Sequence, residues 1–106
     1  MRIPKKINLG GRIYTVKYGT EKQYPELSRW SAFINYPLRI IVIKKDKQNS
    51  EDFNMECFLH EVIHGILEGM YERKLNDNEQ FVQLFSRFLH MFLEDLENQK
   101  CLPTNK

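Results

Sequence analysis

The sequence predicts an α+β domain: a small, antiparallel-rich sheet of three to four strands over residues 5–44, packed on two helices over residues 50–71 and 77–98. Three observations predict it. Apolar and polar residues alternate through much of the first 44 positions, as in half-buried strands. After residue 50 the apolar residues recur at three- and four-residue spacing, as on helix faces. One charged stretch, Lys44 to Asn49, separates the two patterns. A chain of 106 residues supports a single domain with a modest core. That domain is expected over residues 1–99, with a loose tail over 100–106.

The elements follow in order. Lys6–Leu9 and Arg12–Tyr18 flank Gly10-Gly11, a two-residue hairpin signal. In the second of these strands Tyr14, Val16 and Tyr18 oppose Ile13, Thr15 and Lys17, so one face is the more apolar. Gly19 to Ser28 is polar, holds Pro25 and reads as a loop. Trp30 to Tyr36 alternates again until Pro37 breaks the run, and Arg39 to Lys44 is a strand rich in β-branched residues. Asn49 or Ser50 can cap the first helix, with Glu51 and Asp52 favourably placed in its first turn. Met55, Phe58, Leu59, Val62, Ile63, Ile66 and Met70 form its apolar face. Gly65 and Gly69 share one face and can admit a close neighbour. Asn76 or Asp77 caps the second helix. There Phe81, Leu84, Phe85, Phe88, Leu89, Phe92, Leu93 and Leu96 form a wide stripe, expected to be core.

Composition excludes several classes. Met1 to Lys6 is charged and broken by Pro4, with no apolar segment behind it, so no secretory signal is expected. The longest apolar run, Ile40 to Ile43, is far too short to cross a bilayer, so no membrane partner is expected. Two cysteines, Cys57 and Cys101, make no disulfide framework, which fits a reduced cytoplasmic setting. The net charge of +2 hides an asymmetry: residues 1–50 carry 11 Lys+Arg against 3 Asp+Glu, and residues 51–106 carry 5 against 11. Two solvated faces that attract each other account for it. The alternative is a basic sheet that recruits an acidic partner or nucleic acid, although strand aromatics more often pack a core than stack on bases.

Five residues stand out: His60-Glu61-Val62-Ile63-His64. Two histidines four apart on a helix lie about 40° apart around the axis and about 6 Å along it. Both imidazoles can then reach one metal ion. Glu61 falls on the flank of that face, where a carboxylate can act as general base. A chance HExxH arises in roughly one of several hundred chains this long. The plain alternative is a surface helix carrying three solvated polar residues.

A catalytic zinc takes three protein ligands and keeps one open position. Glu79, Glu68, Glu72, Asp77, Cys57 and His90 are the candidates for the third. The longer motif HExxHxxGxxH fails, because Leu67 and Met70 stand where its Gly and third His would be. Glu68 and Cys57 lie on the helix of the two histidines, beyond His64 and before His60, and reach the metal poorly. Glu79 sits in the first turn of the second helix, which a short connection brings near His64. It also suits a capping box with Asn76. His90 is about 16 Å along the helix from Glu79, so the two cannot share an ion. It is expected to be a partly exposed helix histidine.

Several segments together resemble a known family. They are Ile3-Pro4-Lys5-Lys6-Ile7, Gly10-Gly11, Tyr14-x-Val16, Ile40-Ile41-Val42-Ile43, Phe58 to Gly65, and Asn78-Glu79-Gln80. The chain is similar to small phage and prophage metallopeptidase-like proteins related to the ImmA/IrrE group, minimal zincins of the HExxH-plus-Glu type. The likeness covers most of the chain. It implies a minimal zincin-like fold, with zinc held by His60, His64 and, by position, Glu79, and with Glu61 as general base. It implies an endopeptidase acting on a protein or peptide substrate in the cytoplasm of a bacterium or phage-infected cell. It further implies that the strand Ile40–Ile43 presents its edge to an extended substrate. Tyr71, Tyr36 and His90 are candidates for stabilising the oxyanion. The alternatives are a zincin-fold protein-binding module without catalysis, with or without metal, and a metal-free structural protein.

Overall fold

In the computed structural model, which describes residues 1–105, Gly10 and Gly11 take φ values of 64° and 91°. Two successive positive φ angles make a turn whose twist matches a hairpin, and glycine adopts them without steric cost. The turn joins β1 (Lys6–Leu9) to β2 (Arg12–Gly19), with Leu9 opposite Arg12. A loop with a 3-10 turn at Pro25–Ser28 leads to β3 (Ala32–Asn35) and β4 (Ile40–Lys44). The sheet order is β1-β2-β4-β3. Its outer pairs are antiparallel and the β2-β4 pair is parallel, so the sheet is mixed.

Two expectations about the strands are corrected. The strand expected from Trp30 begins at Ala32, and Trp30 is exposed. The edge expected at Ile40–Ile43 belongs instead to β3. β4 lies between β2 and β3, with Ile41, Val42 and Ile43 shut off from solvent. A run of β-branched residues apolar on both faces is the pattern of a central strand.

Helix α1 (Glu51–Gly69) starts at Ser50, whose Oγ accepts a hydrogen bond from the Phe53 N–H at 3.1 Å. Met55, Phe58 and Leu59 pack on Tyr14, Val16, Ala32, Ile41 and Ile43 to make the core. Gly65 lets the helix approach the sheet: a Cβ there would stand 2.6 Å from the Leu9 side chain and 3.1 Å from that of Ile34. Gly69 meets nothing within 4 Å, so only the first of the pair serves a close approach.

The first helix ends two residues earlier than expected. Tyr71 takes φ 59°, and the Glu72 N–H bonds back to the Leu67 carbonyl at 3.0 Å. This is the left-handed closure that favours glycine. The connection then makes a further turn, α2 (Arg73–Asn76), before α3 (Glu79–Glu97). That extra turn moves the start of α3. Its cap is Asn78, which accepts from the Phe81 N–H at 3.0 Å, and not Asn76 or Asp77.

Helix α3 joins α1 through Val82, Phe81 and Leu89 against Ile63 and Leu67. The expected core stripe is only partly core. Leu84, Phe85, Phe88, Phe92 and Leu96 are exposed. One neighbouring helix covers one side of α3, and the stripe is wider than that side. Residues 98–105 have no regular structure and are exposed, and Lys106 of the expected tail lies outside the described residues. Among the described residues, no helix is long and apolar enough to cross a membrane.

Candidate metal centre

Leu59 and Ile63 are buried in the core, and this fixes the roll of α1. The residues one position on, His60 and His64, then emerge together at one edge of the helix. The turn α2 and the Asn78 cap bring the first residue of α3, Glu79, against that edge. His60 Nε2 lies 3.1 Å from Glu79 Oε2, His64 Nε2 lies 2.8 Å from Glu79 Oε1, and the two Nε2 atoms are 3.2 Å apart. Two ring nitrogens and two carboxylate oxygens this close repel one another as bare acceptors unless a cation, a proton or a metal ion, stands between them. Zinc–nitrogen bonds of about 2.0–2.1 Å in a tetrahedron separate ligand atoms by about 3.3 Å. The residues present therefore fit a zinc ion in donor type, number and spacing. Burial, and next the charge of His64, hold the His60 imidazole below its ordinary pKa, which favours the neutral form that ligates metal.

Asn76 orients the second histidine. Its Oδ1 is hydrogen-bonded to His64 Nδ1, and its Nδ2 donates to the Tyr36 hydroxyl at 3.1 Å. An acceptor at Nδ1 places that proton on Nδ1 and leaves the Nε2 lone pair for a metal. His60 is held differently: its Nδ1 is buried without a hydrogen-bond partner, and His60 lines, with Gln83 and Cys57, a cleft of about 250 Å³. Sequence reasoning missed Asn76. Its spacing to Glu79 fits a capping box, and that reading hid its link to His64.

Glu61 is buried at 8% exposure. Burial, reinforced by the negative charge of Glu79, pushes its carboxyl up to about 8. It lines a cleft of about 210 Å³ on the β3 side, with Trp30, Ala32, Phe33, His60 and Glu79. A larger cleft of about 550 Å³ opens on the other side, along Tyr36, His64, Glu68, Tyr71, Asn76 and Glu79. The Glu79 side chain is 65% exposed, so the cluster faces open solvent between the clefts.

The other candidates separate from this point. Cys57 is a half-buried thiol, raised to about 11 chiefly by burial, and it lies outside the ligand cluster. Glu68, Glu72 and Asp77 line the larger cleft but do not join the cluster. His90 is buried rather than partly exposed, and its Nε2 lies 2.9 Å from Glu94 Oε1. It forms a separate group with Asp52 and Glu94 and is not placed to stabilise an oxyanion beside Glu61. Tyr36 and Tyr71 both line the larger cleft, Tyr36 with its hydroxyl tied to Asn76 and Tyr71 largely exposed.

Compared with family models, with curated proteins and with solved structures, the chain finds no match.

Proposed function

We propose that this chain is a zinc-dependent endopeptidase of the minimal zincin type. One observation carries the reading: the HExxH histidines and Glu79 converge within 3.2 Å, beside a buried carboxylate that lines a cleft. His60, His64 and Glu79 would hold the metal. Zinc at such a site supplies Lewis acidity, which acidifies water and polarises a carbonyl.

The remaining steps fall to the chain's own residues. Glu61 accepts the proton of the attacking water and delivers it to the leaving amine. Tyr36 is the favoured donor to the developing oxyanion, because it is anchored by Asn76 next to His64. The exposed edge of β3 runs beside His60 and Glu61 and offers backbone groups to an extended peptide. That edge takes the role that the family resemblance gave to β4.

The test combines metal analysis with cleavage. Purified protein should bind one zinc per chain and cleave members of a peptide library, and Glu61→Gln should keep the zinc and lose cleavage. Cleavage unchanged in Glu61→Gln would remove the proposed base. Stoichiometric zinc with no cleavage of any peptide would assign the centre to a binding module instead.

A further inference from the structure

Helix α3 is packed on one side only. On the other side Leu84, Phe85, Phe88, Met91, Phe92 and Leu96 run along one stripe, with exposures from 44% at Leu84 to 66% at Phe88. At roughly 200 Å² for a fully exposed large side chain, these six leave roughly 600 Å² of apolar surface. That is at the top of the range for the largest patch on a soluble monomer. A standard interface takes about 800 Å² from each partner, so this stripe with its polar margins is the size of one half of a stable dimer.

The stripe is also complementary to itself. Its N-terminal half is a groove of about 440 Å³ lined by Phe81, Leu84, Phe85, Phe88 and Leu89. Its C-terminal half projects Met91, Phe92 and Leu96. A two-fold axis near Phe88 runs a second α3 antiparallel to the first. It sets Phe92 of each copy opposite Leu84 of the other and Met91 opposite Phe85, so each projection meets a groove. The seam Phe81, Phe85, Phe88, Phe92 has the 4-3-4 spacing of helices packed along their length. The antiparallel arrangement also brings acidic Glu94 and Asp95 near the positive N-terminal end of the facing helix.

We infer that the chain forms an isologous homodimer through this face of α3, with a two-fold axis at Phe88. The inference does not depend on the metal centre.

Sedimentation equilibrium of the full chain should give twice the chain mass of 12.8 kDa at about 100 µM. Phe92→Glu should return it to monomer with helix content by circular dichroism unchanged, since Phe92 is exposed. In a Cys101→Ser background, Phe88→Cys should give a disulfide-linked dimer on mild oxidation, and Tyr71→Cys, exposed but off this face, should not. The cross-link decides the matter even if Phe92→Glu fails to fold. A folded wild-type monomer at that concentration overturns the inference. So does a dimer that survives in folded Phe92→Glu, or a monomer whose α3 face instead binds phosphatidylcholine vesicles.

Discussion

Replacing Asn76 with alanine tests whether the centre is built for a metal or is only a cluster of polar side chains. In the wild type the Asn76 amide faces two groups at once, His64 Nδ1 and the Tyr36 hydroxyl. Alanine removes both partners. The His64 side chain is only 12% exposed, so its Nδ1–H is left short of an acceptor in a largely dry setting. An unsatisfied buried donor costs about 1–3 kcal/mol. Metal-ligating histidines that lose such a partner bind metal roughly 10–100-fold more weakly, which is about 1.4–2.8 kcal/mol. The assay is competition against a chromophoric chelator at fixed pH, with folding checked by circular dichroism. Asn76→Ala should weaken zinc by that factor. Asn76→Asp restores an acceptor to His64, and its charge makes the imidazole a better ligand, so its zinc affinity should equal or exceed that of the wild type. A purely structural Asn76 would not produce this split. Zinc affinity unchanged in a folded Asn76→Ala protein would refute the orienting role.

Three further outcomes follow from the same geometry. Glu79→Ala should lower zinc affinity much more than Asn76→Ala, because it removes a ligand atom; thermal unfolding with and without zinc should show most of the metal-induced stabilisation gone, and full stabilisation would eliminate Glu79 as the third ligand. Glu61→Gln should change the pH dependence of the metal-free fold. Burial raises the Glu61 carboxyl from 4.5 to about 8, so the folded state keeps a proton that the unfolded state loses, and stability falls as pH rises between those values, by on the order of 4 kcal/mol. Urea midpoints in chelator should favour Glu61→Gln over wild type increasingly from pH 4.5 to pH 8, and a constant difference would contradict this account. Tyr71→Gly should raise stability by about 1 kcal/mol, since Tyr71 is an exposed residue held at φ 59°, and an unchanged urea midpoint would argue against strain there.

What the sequence disclosed depended on the range of the interaction. The hairpin at Gly10-Gly11, a helix start capped at Asn49 or Ser50 and the pairing of His60 with His64 are set within a few residues, and they are legible from spacing alone; the structure gives the cap to Ser50. The order of the sheet was not. Its β-branched residues show that Ile40 to Ile43 is a strand, but its place between β2 and β3 depends on a parallel pairing of residues 25 positions apart, such as Thr15 with Ile40. Only its lack of polar alternation hinted at a central place. The stripe of α3 shows the opposite limit. Its period is unmistakable, yet period tells which residues share a face and not whether anything covers that face. In this chain α1 covers the side of Val82 and Leu89, and Phe88 stays in solvent.

Asn76 shows how one residue can carry two local meanings. Asn-x-x-Glu ahead of an apolar run satisfies the rule for a helix start. The chain delays that start by two residues, gives the cap to Asn78, and frees the Asn76 amide to meet His64. The delay has a geometric consequence for Glu79. As the first residue of α3, it projects back along the helix axis toward α1, where the two Nε2 atoms lie. Were the helix to begin at Asn76, Glu79 would lie nearly a full turn inside it, on a different bearing. The turn α2 therefore sets both the third candidate ligand and the group that orients the second. Deleting one residue from Arg73–Asn76 should disturb the centre more than it disturbs the fold. Zinc affinity falling by more than the loss seen in Asn76→Ala, with the urea midpoint nearly kept, is the expected result; equal zinc affinity would show that the centre does not depend on this turn.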